Sequence, residues 1–401
     1  MGKDVSHKKK VFKFLKSLGL YILIGGISGF FAGYFFTNYE LSIPAEYTAL
    51  PFYIEIMIFI FTYIIAVLAH ELGHFFVFIR NGIKMRALFV TLFIFKKEDE
   101  KWKFRINPNS ITASGGIAIP DLEVVEDSDE FKRLQKAYAK VMLAGPLTSI
   151  FFCIVVLLIT VPIFLTISSV IIKSVLFMFS ASIVVITLFI IISSLLKTEM
   201  VVGDFPAYKI AKNDNFLVAM QLYQYAMFST DYEDVRRNND YLRSLIVEGL
   251  YEKLEKEDIH VYTMNIIDTL IVEYLSGVID SLPEAVDEYV DFLIDNNEAF
   301  EVVKTSEYAR ILWFHIIRLL YEKRDQKEKA VELFYRIKGM IDEKSSINKY
   351  LTKQAEHLLG IDDNSDFLKD KKNINLSSAD SLYKNFEGYY SDEIKLNKAI
   401  L

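Results

Sequence analysis

An apolar run at residues 52–79 carries two histidines and a glutamate in its second half. About 20 apolar residues span a bilayer as one helix, so this run is long enough to cross a membrane. It contains the motif His70-Glu-Leu-Gly-His74. Residues four apart lie on one face of a helix, so His70 and His74 can contact one ion together. Ionisable groups in a membrane helix are costly and mark a functional site, which makes a chance motif in a packed helix the weaker interpretation.

The motif has the residue types of a zinc site that activates a water molecule. Histidine imidazoles are common zinc ligands, and a glutamate beside the first of them can act on a water bound to the metal. We therefore predict His70 and His74 as metal ligands and Glu71 as the catalytic residue. A catalytic zinc site has three protein ligands, so a third is expected elsewhere in the chain.

Composition excludes several classes of function. The chain of 401 residues is 52% hydrophobic and has a net charge of −7. Nucleic-acid binding needs clustered Lys and Arg, so no nucleic acid is expected as a partner. The single cysteine, Cys153, cannot form an internal disulfide and leaves no cysteine-based zinc site.

Hydropathy and flanking charge predict four transmembrane helices. Their apolar runs are residues 18–36, residues 52–79, and a stretch at 141–196 that fits two spans joined by a turn around residues 166–173. Lysines before the first run and cations after the second mark the cytoplasmic side, so both termini are expected in the cytoplasm. His70 precedes Arg80 by ten residues and would lie about 15 Å below the cytoplasmic surface at the helical rise per residue.

A short β segment is predicted between the second and third spans. Residues 87–95 and 102–106 have the aromatic and β-branched character of strands, with a charged turn at residues 96–101. Residues 111–120 form a third extended piece, whose glycines allow close backbone approach. Two interpretations stay open: an ordinary hairpin at the membrane interface, or an edge that pairs with an extended substrate.

After residue 207 the apolar residues recur at the three- and four-residue spacing of soluble amphipathic helices. Residues 309–337 have the pattern of a helix hairpin, which suggests a tetratricopeptide-like unit. The predicted fold is a mainly α membrane protein with four transmembrane helices and a short membrane-associated β segment, followed by a soluble all-α cytoplasmic domain. The predicted divisions are an N-terminal segment with the first span (1–51), a membrane core (52–208), a helical domain (209–362) and a tail (363–401).

Three motifs in order carry a family resemblance: His70-Glu-Leu-Gly-His74, Ala144-Gly-Pro146 and Gly203-Asp204. Over roughly residues 52–208 the chain resembles the site-2 protease family of intramembrane zinc metalloproteases. The resemblance implies that Asp204 is the third zinc ligand. The third motif departs from the family pattern, because Ser194-Leu-Leu-Lys197 stands where Asn-Leu-Leu-Pro is usual and glycine precedes the aspartate. Glu199, on the same connection, is therefore an alternative ligand.

The resemblance implies an intramembrane zinc endopeptidase that hydrolyses a membrane-anchored protein or peptide near the cytoplasmic side. In this interpretation Glu71 is the general base for a zinc-activated water. The alternative is a membrane scaffold or regulatory binding protein that acts through its helical domain and keeps a vestigial metal site. Expected partners are the substrate, the lipid bilayer and a protein bound by the helical domain. The expected location is a bacterial cell membrane.

Overall fold

The computed structural model describes residues 50–107, 115–197, 202–342, 344–376 and 386–401. Its first part contains three long helices and four strands: α1 (Phe52–Arg80), β1 (Lys84–Val90), β2 (Phe93–Glu98), β3 (Lys101–Ile106), β4 (Gly116–Asp121), α2 (Ser128–Thr166) and α3 (Val170–Leu195). Shorter helices follow: α4 (Asp204–Asn213), α5 (Asn215–Ala226), α6 (Tyr232–Asn238), α7 (Asp240–Glu255), α8 (Val261–Leu275), α9 (Glu284–Asp295), α10 (Asn297–Val303), α11 (Glu307–Glu322), α12 (Lys327–Lys338), α13 (Ser346–Leu358), α14 (Ser365–Lys369) and α15 (Glu387–Ile400).

Helices α1, α2 and α3 are long and apolar enough to cross a membrane. The 29 residues of α1 extend about 43 Å, which exceeds the thickness of a hydrocarbon core. The predicted runs at residues 52–79 and 141–196 are therefore confirmed as helices, with the turn of the long run at residues 167–169. The span predicted at residues 18–36 lies outside the described residues.

The β segment is a four-stranded antiparallel sheet in the order β3-β2-β1-β4. The prediction of one strand over residues 87–95 was wrong, because the chain turns between β1 and β2. Thr91 has a φ of 52°, in the left-handed region, which ends β1 and lets β2 fold back onto it. A second tight turn at Asp99 and Glu100, with φ values of 50° and 60°, joins β2 to β3.

By internal packing the chain divides into two units. One comprises the described residues 50–62 together with residues 156–182. In it, the hydroxyls of Thr160 on α2 and Ser180 on α3 form a hydrogen bond of 2.7 Å, which satisfies both groups within the apolar helices. The other unit comprises residues 63–155 and 183–401, and the sheet and the shorter helices belong to it.

In the larger unit, the helical region (residues 204–401) packs directly on the sheet. The Leu122 N–H, just after β4, donates to Ser229 Oγ at 3.2 Å, and Arg86 Nε on β1 donates to the Phe228 carbonyl at 3.1 Å. The rings of Phe89 on β1 and Phe386 lie 6.0 Å apart, and both side chains are fully buried. One apolar core thus continues from β1 and β4 into the helices.

Helices α11 and α12 are the two helices of the predicted hairpin. The apolar positions that predicted it are buried: Ala309, Leu312, Trp313, Leu320, Ala330, Leu333, Phe334 and Ile337. These positions recur at the three- and four-residue spacing of an apolar helix face. The tetratricopeptide-like period of the helical domain stays a prediction.

Helix α15, in the segment predicted as a tail, is joined to the helical region by buried polar groups. His315 on α11 lies between two carboxylates, with Nδ1 2.7 Å from Asp268 Oδ1 and Nε2 2.8 Å from Glu393 Oε1 on α15. Burial lowers the pKa of His315, but the two carboxylates raise it more, to about 10. The buried imidazolium therefore holds α15 against α8 and α11.

The raised pKa of His315 makes the stability of the helical region depend on pH. The stabilisation is complete below the ordinary pKa of 6.5 and is lost as pH rises through about 10. We expect the melting temperature of the purified protein to fall over this interval, and His315→Gln to lower it most at pH 6.5 and to flatten the dependence. Thermal unfolding followed by circular dichroism measures both. His260→Gln, at an exposed helix start, is the control, and an equal slope in wild type and His315→Gln contradicts the prediction.

Candidate metal centre

Helix α1 presents two imidazoles on one face. His70 Nε2 and His74 Nε2 lie 3.2 Å apart. The other ring nitrogens are held from α2: His74 Nδ1 donates to the Val141 carbonyl at 2.7 Å, and His70 Nδ1 lies 3.0 Å from Ser149 Oγ. A proton on Nδ1 leaves the lone pair on Nε2 free to bind a metal. The two histidines are thus oriented as a pair of metal ligands.

Asp204, the first residue of α4, completes the cluster. Its Oδ2 lies 3.3 Å from His70 Nε2 and its Oδ1 lies 3.8 Å from His74 Nε2. Ser194 Oγ, at the end of α3, donates to Oδ2 at 2.8 Å. Burial raises the pKa of Asp204, but its polar neighbours His70, His74 and Ser194 together lower it more. The carboxylate form, which is the ligand form, is therefore favoured.

The chain folds back after α3 to bring Asp204 to the histidines. Lys197 and Val202 form an antiparallel bridge, and the Gly203 N–H donates to the Leu196 carbonyl at 2.8 Å. A Cβ atom at Gly203 would lie 2.5 Å from the Ser194 carbonyl oxygen, closer than real contacts allow. Glycine before the aspartate, which differs from the family pattern, is therefore what permits the return.

The three side chains fit a zinc ion. Zn–N distances of about 2.0–2.1 Å in a tetrahedral site place ligand atoms about 3.3 Å apart. The observed separations of 3.2, 3.3 and 3.8 Å are close to this value. Imidazole nitrogens and a carboxylate oxygen are the donor set of many catalytic zinc sites, although they also bind other metals.

Glycines let neighbouring backbones approach the cluster. A Cβ atom at Gly145 on α2 would lie 2.3 Å from His74 Nε2 and 2.7 Å from His70 Nε2. A Cβ atom at Gly116, the first residue of β4, would lie 2.4 Å from Glu71 Cγ. The close approach predicted for the glycines of the third extended piece thus occurs at Gly116. Glu71 is 6% exposed and lies between the metal cluster and the start of a strand.

These residues line a cleft of about 480 Å³. His70, Glu71, His74 and Asp204 meet there, together with the start of β4 and Tyr225 of α5. The structure thus brings Asp204, which is distant in sequence, to the three predicted site residues of α1. Glu199, the alternative ligand, lies outside the described residues.

Sequence reasoning did not identify the groups that support the ligands. Ser149 follows Gly145 by one helical turn, so it shares the face of α2 that meets α1, and this spacing could have indicated it. Ser194 stands out in the sequence only as a departure from the family motif. The Val141 carbonyl leaves no signal in sequence, because any residue supplies a carbonyl.

The three helices of membrane length and the His70, His74 and Asp204 cluster are consistent with an intramembrane metalloprotease, and the family comparison agrees. Residues 58–306 match peptidase family M50, the site-2 protease family, and the match covers more than half of the chain. The chain therefore belongs to peptidase family M50, whose members are zinc metalloproteases of membranes. Neither a curated protein nor a solved structure matches the chain. The family match extends beyond the predicted membrane core and includes α4 to α10.

The Ser194–Asp204 hydrogen bond predicts a measurable effect on metal affinity. Ser194→Ala removes the donor that fixes the ligand carboxylate, so we expect the affinity for zinc to fall by about 10–100-fold. Competition with a chromophoric chelator measures it on the purified protein. Ser193→Ala is the matched control, because the Ser193 hydroxyl donates instead to the Ile190 carbonyl within α3. Equal affinities of the two variants would show that Ser194 does not support the ligand.

Proposed function

We propose that this protein is an intramembrane zinc endopeptidase that hydrolyses a membrane-anchored protein or peptide near the cytoplasmic side. The observation that carries the proposal is the cluster of His70, His74 and Asp204 atoms, all within 4.8 Å of one another, on and beside a helix of membrane length. Glu71 lies next to this cluster in the same cleft. An ionisable cluster at such a position is expected to have a function, because it is costly to bury without one.

In this proposal His70, His74 and Asp204 hold the metal and Glu71 moves the proton. Bound zinc supplies a Lewis acid that polarises the scissile carbonyl and makes water acidic near neutral pH. The Glu71 carboxylate accepts a proton from the attacking water as the C–O bond forms. It then delivers this proton to the amide nitrogen as the C–N bond breaks.

Strand β4 is the proposed support for the extended substrate. It pairs with β1 on one side, and its residues Gly116 to Ala118 line the cleft with Glu71. A peptide bond in a helix is shielded by its hydrogen bonds, so the substrate must unwind before it is cut. An unwound segment can add to a strand edge through main-chain hydrogen bonds. This favours the second of the two interpretations of the β segment.

The cytoplasmic position of the cut follows from the charges around the helices. Helix α1 ends at Arg80, and the first turns of α2 carry Lys132, Arg133, Lys136 and Lys140. Cations flank membrane helices on the cytoplasmic side, so these helix ends are proposed to face the cytoplasm. The metal ligands on α1 precede Arg80 by six and ten residues. The helical region and both termini are proposed to lie on that same side, in a bacterial cell membrane.

We keep residues 52–208 as the catalytic core, because His70, Glu71, His74 and Asp204 all lie within them. Residues 1–51, 209–362 and 363–401 are the remaining proposed divisions. Helix α4 runs across the boundary at residue 208, so the helical domain continues the core without a linker.

Glu71→Gln tests the proposed chemistry. The amide cannot accept the proton, so we expect hydrolysis to fall by about 10²–10⁴-fold while the zinc content stays that of the wild type. The measurement compares membrane-protein fragments in the native host with wild type or Glu71→Gln. A full-length membrane protein should accumulate in the variant. Unchanged fragments under all growth conditions, with a phenotype that depends on the helical region, would favour the scaffold function instead.

Gly116→Ala tests the close approach of β4 to Glu71. The added methyl group would overlap Glu71 Cγ and the Phe89 carbonyl oxygen, so the glutamate or the strand must move. We expect the same accumulation of uncut protein as for Glu71→Gln, with zinc retained. Gly115→Ala is the matched control, because a Cβ there meets nothing within 4 Å. Full activity of Gly116→Ala would separate the strand from the reaction.

A further inference from the structure

A second pocket, of about 410 Å³, lies in the helical region beside the cleft. Helices α5, α6, α8, α11 and α15 line it, together with Ile117 of β4. Ile117 and Tyr225 line both this pocket and the catalytic cleft. Ile117 is the residue after Gly116, which touches Glu71. A peptide that lies along β4 and leaves the cleft at this end therefore meets the second pocket next.

The wall of this pocket, which we call the acidic pocket, has an excess of negative charge. Among the described residues the wall has three carboxylates, Asp268, Asp392 and Glu393, and two cations. His315 pairs with Asp268 and Glu393, and Arg236 pairs with Asp392 but is shared with Glu273, which is buried behind the wall. Glu393 is satisfied further by Tyr350 and Gln354. Burial raises the pKa of Asp268 more than His315 lowers it, and the charge of Glu393 adds to the rise.

One buried carboxylate oxygen on this wall lacks a hydrogen-bond partner among the described residues, and a second carboxylate is partly exposed. Asp392 is 7% exposed; its Oδ2 accepts from Arg236, and its buried Oδ1 has no hydrogen-bond partner among the described residues. Asp268 uses Oδ1 for His315, and its side chain remains 17% exposed. A buried carboxylate oxygen without a partner is unfavourable, so a bound cation or donor would stabilise it.

The lining of the acidic pocket suits an organic cation better than a metal ion. Within the described part of the chain, the cluster that could share a metal is His70, His74 and Asp204, and no residue of the acidic pocket belongs to it. Tyr308, which is 38% exposed, and Tyr389 also line the pocket. Aromatic rings beside carboxylates suit the aliphatic stem and charged end of lysine or arginine.

We propose that the acidic pocket binds a lysine or arginine side chain of the substrate, on the cytoplasmic flank of the bond that is cut. This inference rests on the proposed proteolytic function, because that function supplies the peptide. Membrane-anchored proteins carry an excess of Lys and Arg on their cytoplasmic flanks. The pocket continues from the cleft, and its negative charge is opposite to the positive charge of such a flank. It would select substrates whose basic flank follows the unwound segment, which fixes the register of cleavage.

The test measures binding rather than hydrolysis. The protein is the purified full chain carrying Glu71→Gln, in neutral detergent. The probe is a fluorescein-labelled peptide with an apolar segment followed by three lysines, and its match has three glutamines instead. Fluorescence anisotropy gives both dissociation constants. We expect the lysine peptide to bind about tenfold more tightly, and this preference to weaken with added salt.

Two further substitutions in this protein locate the binding. Asp392→Asn removes the carboxylate charge, and Gln224→Lys places an ammonium at the pocket without breaking an ion pair. Each should abolish the preference for lysine. If Asp392→Asn lowers the melting temperature, Gln224→Lys decides alone. Gln326→Lys is the matched control, because it adds the same charge at an exposed position outside the pocket and should leave the preference intact.

The outcomes separate the two proposals. Equal binding of the two peptides, or a preference that survives Gln224→Lys, overturns the acidic pocket as the site for a basic flank. Either result leaves the effect of Glu71→Gln on membrane proteins in the host untouched. The converse result is that Gln224→Lys and Asp392→Asn each abolish the preference for lysine while no protein accumulates in the Glu71→Gln host. That result overturns the proteolytic function and keeps the pocket as a site for basic segments.

Discussion

Ionisable groups in a helix of membrane length have to be satisfied within the protein, because lipid offers neither hydrogen bonds nor counter-charges. Helix α1 places two histidines and a glutamate in that position, and much of the larger unit is arranged around them. Helix α2 supplies the Val141 carbonyl and the Ser149 hydroxyl to the outer ring nitrogens. The chain after α3 returns to bring a carboxylate to the inner ones. The distances among the two Nε2 atoms and the Asp204 oxygens are then close to those between the ligand atoms of a metal site.

Close backbone approach makes this arrangement possible. A methyl group at Gly145 would overlap His70 and His74, one at Gly116 would overlap Glu71, and one at Gly203 would overlap the Ser194 carbonyl at the end of α3. Small residues at helix contacts are expected in membranes, where close packing rather than hydrophobic burial drives association. Here the same property brings α2 and β4 to the metal cluster. The glycines thus serve packing and chemistry together.

The helical region is continuous with the proposed catalytic core. Its helices share an apolar core with β1 and β4, and α15 is held by the ion pairs of His315 and Arg236. Breaking a buried pair leaves an uncompensated charge, so such pairs restrict how α15 can sit. The carboxylates that hold α15 also line the acidic pocket next to the cleft. Contacts that build the helical region and contacts that would select a substrate therefore involve the same residues.

Local patterns in the sequence determined which residues could carry the chemistry and which helices could cross a membrane. The His-Glu-x-x-His spacing and the apolar runs are properties of one helix at a time. They can therefore be recognised in the sequence without knowledge of any tertiary contact. The turn at Thr91 escaped prediction, because the residues on both sides of it have the same strand character and only the pairing of β1 with β2 requires the turn.

Tertiary structure decided what the local patterns left open. Asp204, which the family resemblance implied as a ligand, reaches the histidines only because the chain folds back after α3. Ser194 and Ser149 gain their roles only from neighbours ten and 79 residues away. The acidic pocket joins residues from Ile117 to Glu393, which no spacing in the sequence relates. A sequence shows which groups can ionise, bind or pack along one element. The distances between elements, on which metal binding and charge compensation depend, are set only when the elements pack.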